Sequence, residues 1–198
     1  ETRMQKKEHL IFVISGPSGS GKTSVIEKLL TLDPHLCVSV SATTRPKRPL
    51  EQEGKDYYFM TSEEFEVHDF AEQAAVYGHS YGTLKSEIER LQREGCTILF
   101  NKDYQGLQNL KKYYDVIGIF IRPPSLEILA KRLQARQQDS EEVIKQRLEA
   151  AERTLKEALY YDYVVVNDDL DACVQTVYGF IQKERKCQHA DGQSGREG

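Results

Sequence analysis

The sequence predicts an α/β fold built on a doubly wound, mainly parallel sheet, and three observations carry that reading. Short apolar runs of strand type alternate with amphipathic helical runs along most of the chain. One of the junctions is the glycine-rich stretch Gly16-Pro17-Ser18-Gly19-Ser20-Gly21-Lys22-Thr23, set between the apolar run Leu10-Ile11-Phe12-Val13-Ile14 and a helix-like run over residues 24–30. Finally, 198 residues suffice for one well-buried core with small inserted subdomains and are too few for a second full domain.

The glycine-rich stretch fits G-x-x-x-x-G-K-[ST] at every fixed position, with strand before and helix after. Such a loop suits a nucleoside triphosphate, whose clustered negative charges must lie close to the backbone. Glycines let the chain wrap tightly and turn successive N–H groups towards phosphate oxygens, and the following helix adds the positive end of its dipole. Lys22 is then the group that reaches the outer phosphates, and the Thr23 hydroxyl takes one position on magnesium. A plain Gly/Ser turn would require neither side chain.

Beyond the first helix Asp33-Pro34 breaks the pattern, and Leu36-Cys37-Val38-Ser39-Val40-Ser41 alternates as a short strand. The next stretch, Ala42-Thr43-Thr44-Arg45-Pro46-Lys47-Arg48-Pro49, is a loop presenting cations. It reads equally as a solvated basic turn or as a second phosphate site, because the arginine fork suits phosphate oxygens. Tyr57-Tyr58-Phe59-Met60 is a strand candidate, and Thr61-Ser62-Glu63-Glu64 has capping-box spacing. Residues 69–84 contain Glu72, turn-marking glycines, and Tyr81, which like Tyr57 is a core, surface or stacking aromatic.

Leu84, Ile88 and Leu91 predict a helix ended by Gly95, and Cys96-Thr97-Ile98-Leu99-Phe100 a buried strand that delivers Asn101 and Asp103 beyond its end. Ligands of open α/β sheets sit there, so Asp103 suits magnesium or substrate; it equally suits the N-cap of the following helix. Residues 114–121 form another strand, halted by Arg122-Pro123-Pro124. The helix from Ser125 places Leu126, Leu129 and Leu133 on one face and Arg132 and Arg136 on another. Asp139-Ser140-Glu141-Glu142, with a cap-like D-x-x-E spacing that makes Asp139 the expected N-cap, opens a helix with Ile144, Leu148, Ala151, Leu155 and Leu159 inward and Arg147 near its start. Those arginines are either a solvated face or a closing lid over phosphates. Tyr163-Val164-Val165-Val166 is the last strand, ahead of a helix marked by Val174, Val177, Tyr178 and Ile181.

Composition excludes several function classes. With 27 Lys+Arg against 31 Asp+Glu, a net charge of −4, no general field draws the chain to nucleic acid or to a membrane surface. No apolar run approaches the ~20 residues of a bilayer span. The start, residues 1–9, is charged, and the apolar run behind it leads straight into the phosphate loop, which cleavage would destroy, so no cleaved signal peptide is expected. Cys37, Cys96, Cys173 and Cys187 show no C-x-x-C pair and are expected to be reduced thiols of a cytoplasmic protein; the histidines show no metal-ligand spacing.

Taken in order, several stretches resemble the guanylate kinases over residues 12–181: the phosphate loop, Ser39-Val40-Ser41-Ala42-Thr43-Thr44-Arg45-Pro46-Lys47-Arg48, Gly54-Lys55-Asp56-Tyr57, Tyr81-Gly82-Thr83, residues 119–126 and Val166-Asn167-Asp168-Asp169-Leu170. The resemblance implies a P-loop NTPase fold with an inserted GMP-binding subdomain and a helical lid. On that basis residues 1–198 form a single guanylate kinase-like domain, with core at 8–40, 84–124 and 160–185, GMP-binding subdomain at 41–83, lid at 125–159 and flexible tail at 186–198. It implies magnesium-dependent transfer of the ATP γ-phosphate to GMP, and to dGMP, giving ADP and GDP in cytoplasmic purine metabolism.

Carried over by position, the resemblance implies ATP contacts from Gly16, Pro17, Ser18, Gly19, Ser20, Gly21, Lys22, Thr23, Ser24, Arg132, Arg136 and Asn167. Ser41, Glu72, Thr83 and Asn101 fall at the guanine, with Arg45, Arg48, Tyr57 and Tyr81 at the GMP phosphate. Lys22, Arg45, Arg136 and Arg147 are the implied catalytic residues, and Thr23 and Asp103 the metal contacts. Glu72 makes chemical sense, since a carboxylate accepts from guanine N1–H and its amine, a donor pair that adenine lacks. Three positions depart from the family pattern: Asn101 replaces the first acid of Asp-x-Asp-x-Gln-Gly, Gln73 a Trp, and Gln137 a Gly. The competing expectations are a non-catalytic guanylate kinase-like domain that binds a phosphorylated protein segment, and a kinase for another phosphorylated small molecule.

Overall fold

The computed structural model describes residues 10–136 and 139–193, the last five of these as backbone only. Its centre is a five-stranded sheet in the order β2-β7-β1-β8-β9, formed by β1 (Ile11–Ser15), β2 (Leu36–Val38), β7 (Thr97–Asn101), β8 (Val116–Arg122) and β9 (Tyr163–Val166). Every pairing in it is parallel; β1 lies between β7 and β8, with Val13 opposite both Phe100 and Gly118.

The side chains of β1 alternate between two hydrophobic layers, which is what a doubly wound sheet requires. Phe12 and Ile14 pack with Val25, Ile26 and Leu29 of α1 (Lys22–Leu32) and with Val174, Val177 and Ile181 of α7 (Leu170–Gln193). Ile11 and Val13 face the other way, onto Ile88 and Leu91 of α3 (Lys85–Arg93) and Leu107 and Leu110 of α4 (Tyr104–Lys111). Both layers are almost wholly dry, so the end of β1 that leads into the glycine loop is anchored on each side.

A second, four-stranded sheet has the order β4-β3-β6-β5, from β3 (Ala42–Thr43), β4 (Tyr58–Phe59), β5 (Phe70–Val76) and β6 (His79–Leu84). Its core is small: Ala42, Phe65, Phe70 and Leu84, with Phe65 and Phe70 stacked at 4.3 Å. Phe65 comes from α2 (Ser62–Glu66), whose expected capping box is complete, with both reciprocal bonds between Thr61 and Glu64 formed. Two further helices, α5 (Leu126–Ala135) and α6 (Glu141–Leu155), form a pair that shares a cluster of Leu129, Leu133, Ile144 and Ala151.

Several expectations need correction. The strand predicted over residues 36–41 stops at Val38, because the chain leaves the first sheet and re-enters the second at Ala42. Residues 70–84 form a hairpin turned by Tyr77 and Gly78, both at positive φ (49° and 79°), which suits a two-residue loop. Leu159 is exposed, since α6 tightens into a 3-10 turn at Lys156–Tyr160 and the helical period is lost; Leu126 is 37% exposed. Ser140, not Asp139, caps α6, and Asp139 pairs instead with Arg147 at 2.9 Å. Helix α7 continues past residue 186, where a tail was expected, to Gln193. Cys37 and Cys96 are joined in a disulfide between the edge strand β2 and the entry to β7, with Cα atoms 5.9 Å apart, in place of two reduced thiols. Parallel pairing brings the two together across 59 residues, a proximity that no local spacing reveals.

Candidate active site

The glycine loop hangs between β1 and α1 and is shaped by backbone. Gly16 has φ 152°, and a Cβ there would collide with the Ile121 carbonyl oxygen of β8; Gly21 has φ 92° and lies against the Asn167 amide. Ser20 N–H donates to the Pro17 carbonyl at 3.1 Å, and the Lys22 ammonium folds back to the Gly16 carbonyl at 2.6 Å. Helix α1 has no side-chain N-cap and no acid in its first turn, so its leading N–H groups remain available to an anion. Ser18, Thr23 and Ser24 are exposed along this edge. Burial pushes the Lys22 ammonium below its ordinary pKa, and the nearby Asp103 carboxylate opposes that shift.

Asn167, 5% exposed, donates from Nδ2 to the Ser20 carbonyl at 2.8 Å, while its own carbonyl accepts from Arg132 at 2.9 Å. Both residues therefore brace the loop from the ends of β9 and α5. Arg136 is exposed at the C-cap of α5, and Arg147 is held by Asp139. Gln137 lies outside the described residues. Asp103 caps α4 through the Gly106 N–H at 2.8 Å, as one of its two predicted roles required, and Asn101 is exposed at the end of β7, in register with Ile14.

A second constellation lies on the four-stranded sheet. Arg45 makes a fork-to-fork pair with Glu51, both bonds 2.8 Å, and its guanidinium lies over the rings of Tyr57 (5.4 Å) and Phe59 (5.9 Å). Tyr57 meets Tyr81 edge to face at 5.9 Å. The Arg45 hydrogen bonds hold the Glu51 carboxyl well below the usual range, at about 2, and Arg45 is raised in turn. Arg48 contributes its backbone N–H to Glu51 at 2.9 Å and keeps its side chain exposed. Further along the sheet the buried Glu72 accepts through Oε1 from the Thr83 hydroxyl at 3.0 Å and from the Lys102 ammonium at 2.5 Å. Ser41 is half-buried, its carbonyl accepting from Tyr58 N–H, and Gln73 is exposed. Tyr81 and Thr83, two apart on β6, project from one face about 7 Å apart.

Sequence reasoning thus named Arg45, Tyr57 and Tyr81 at one locus and Glu72 with Thr83 at another, and the fold brings each set together. It missed the two partners, Glu51 and Lys102. Glu51 stands three residues after Arg48, a spacing that signals a turn contact; Lys102 carries no local signal, being a lysine just beyond a buried strand.

A glycine cradle at an uncapped helix start, with a lysine at its mouth and a strand-end carboxylate beside it, defines a nucleotide-binding phosphotransferase of the P-loop class. Comparison with known proteins narrows this. The guanylate kinase family model matches residues 8–184. A guanylate kinase of Rickettsia bellii is 41% identical over 188 residues, covering 92% of this chain and 98% of the relative. One from Porphyromonas gingivalis is 47% identical over 175 residues, covering 84% and 93%. The crystal structure of guanylate kinase from Anaplasma phagocytophilum superposes with a TM-score of 0.67 at 32% identity, over 90% of this chain and 87% of that one. The chain belongs to the guanylate kinase family.

Proposed function

We propose that the protein transfers the γ-phosphate of ATP to GMP and dGMP, releasing ADP and GDP or dGDP, with magnesium, as a step of cytoplasmic purine nucleotide metabolism. The observation that carries this reading is the pairing, on one small sheet, of an arginine–tyrosine cluster with a buried carboxylate, which Lys102 ties to the end of the strand that carries the glycine cradle. A nucleoside monophosphate has matching ends: a dianion for Arg45, Arg48, Tyr57 and Tyr81, and base N–H donors for Glu72, assisted by Ser41, Thr83 and Asn101.

Residues 41–83 then act as the monophosphate-binding subdomain and residues 125–159 as the lid, on a core of residues 8–40, 84–124 and 160–185. The loop N–H groups from Gly16 to Ser24 grip the triphosphate, with Arg132 and Asn167 keeping the loop in shape. Lys22 follows the γ-phosphoryl group as charge shifts onto it; Arg136 and Arg147 add charge from the lid, and Arg45 aligns the acceptor. Such transfers need alignment and charge stabilisation and no covalent intermediate.

Magnesium suits the donor set, because it commonly takes one or two protein oxygens and completes its shell with phosphates and water. Thr23 offers an exposed hydroxyl, and Asp103 keeps one carboxylate oxygen beyond the one that caps α4. The ion would supply charge neutralisation between the phosphates.

The test is ADP formation with GMP, dGMP, AMP, CMP and UMP, with and without magnesium. Turnover with GMP and dGMP alone, abolished by chelator, is expected. Preference for another monophosphate, or turnover with none, would overturn the reading in favour of a different kinase or of a protein-binding domain.

A further inference from the structure

The partner of Glu72 is the feature that the reading above does not absorb. Lys102 lies one residue beyond β7, and its carbonyl accepts from the Ser15 hydroxyl at 2.5 Å, which fastens it to the end of β1. Its ammonium crosses from the five-stranded sheet to β5 of the four-stranded one. The side chains of Glu72 and Lys102 are 5% and 19% exposed, so this is a largely desolvated pair. Both Lys102 and Thr83 converge on the same oxygen, Oε1.

Two consequences follow from donor and acceptor counting. Thr83 and Lys102 take both lone-pair sites of Oε1, so Glu72 keeps Oε2 for a ligand. Lys102 has three N–H donors and spends one on Glu72, so others stand beside the carboxylate. The base end of the pocket is thus a donor next to an acceptor, and a 6-oxopurine presents the complement: the C6 carbonyl oxygen next to N1–H. Adenine presents the reverse, an amine at C6 and a bare N1, setting donor against donor and lone pair against lone pair.

We propose that Lys102 is a specificity-determining residue of the monophosphate pocket, donating a hydrogen bond to the 6-oxo group of a purine whose N1–H is accepted by Glu72. The proposal rests on the GMP-kinase reading. It assigns to Lys102 a group shared by guanine and hypoxanthine, so its loss affects both nucleotides alike.

The experiment measures kcat, KM and calorimetric binding of GMP, inosine 5′-monophosphate and AMP for the full chain, Lys102→Met, Lys102→Arg, Glu72→Gln and the Glu72→Gln/Lys102→Met double variant. Far-UV dichroism and ATP binding check that each variant is folded. A lost hydrogen bond to a charged donor predicts GMP and inosine monophosphate weakened by one common factor, about ten- to a hundredfold, seen in KM with kcat nearly unchanged. AMP should be unaffected or improved, and Lys102→Arg should recover part of the loss. The double variant separates direct from indirect action, and in it Lys102→Met should still cost at least about fivefold in GMP affinity.

No further loss in that background would overturn the proposal and leave Lys102 a counter-ion to Glu72. Unchanged or tighter GMP binding in Lys102→Met would likewise overturn it, making the ammonium a competitor that the base displaces. Equal losses for AMP would reduce it to general damage of the pocket. Absence of GMP turnover in the unaltered protein sinks the parent reading, and the proposal with it; normal turnover with an unaffected Lys102→Met sinks the proposal alone.

Discussion

The two sheets of this protein hold their polar groups by different means. On the five-stranded sheet the glycine loop is fixed through main-chain atoms: Lys22 to the Gly16 carbonyl, Asn167 to the Ser20 carbonyl, and a Gly16 that abuts the Ile121 carbonyl. On the four-stranded sheet the functional groups are fixed by side-chain ion pairs, Arg45 with Glu51 and Glu72 with Lys102. Main-chain scaffolding over a large dry core gives a preformed cradle, which suits the proposed task of gripping groups common to all triphosphates. Ion pairs over a small core give charges that a ligand can share or exchange, which suits the proposed task of telling one base from another.

Lys22→Ala attacks the preformed half and should lower kcat by about a hundred- to a thousandfold while GMP binding, measured by calorimetry, stays nearly intact. Parallel loss of GMP affinity would show that the two halves are not separable. Reducing the Cys37–Cys96 disulfide, or replacing Cys37 by Ser, releases a 59-residue constraint within the core sheet and should cost about 2–4 kcal/mol in denaturant unfolding, with the midpoint falling under reducing agent. An unchanged midpoint would mean that sheet pairing alone sets the stability of that edge.

Glu72→Gln attacks the exchangeable half and should weaken GMP by about tenfold and erode selectivity against AMP, with kcat little changed. Identical specificity would move base recognition elsewhere. The smallest effect is expected at Glu51. Its folded-state pKa of about 2 lies below the ordinary 4.5, so its pairing contributes stability that is present above about 4.5 and lost as pH falls towards about 2. Glu51→Gln should therefore lower the Tm near neutrality and converge with the unaltered protein in acid. A gap that persists at pH 2 would assign the effect to packing.

Legibility in the sequence follows the same division. The first strand, the loop, the first helix and the last strand were all readable, since each is specified by a contiguous run of apolar or glycine residues. The β5/β6 hairpin was not. Its first strand, Phe-Ala-Glu-Gln-Ala-Ala-Val, is poor in β-branched residues, and only Phe70, Ala71 and Glu72 are buried, so no period of two shows. Leu159 was misplaced because a helical period was extended through a segment that tightens to a 3-10 turn.

What the amino-acid order determined alone is the glycine cradle: eight consecutive residues carry its positive-φ positions, the lysine and the hydroxyl, and local backbone sterics do the rest. Tertiary structure decided what lies opposite each functional charge. Lys102 reaches Glu72 across 30 positions and Cys37 reaches Cys96 across 59. Those meetings arise from the order in which strands enter two sheets. Strand order is set by the burial of whole faces, so it leaves no trace in the spacing of the residues that it joins.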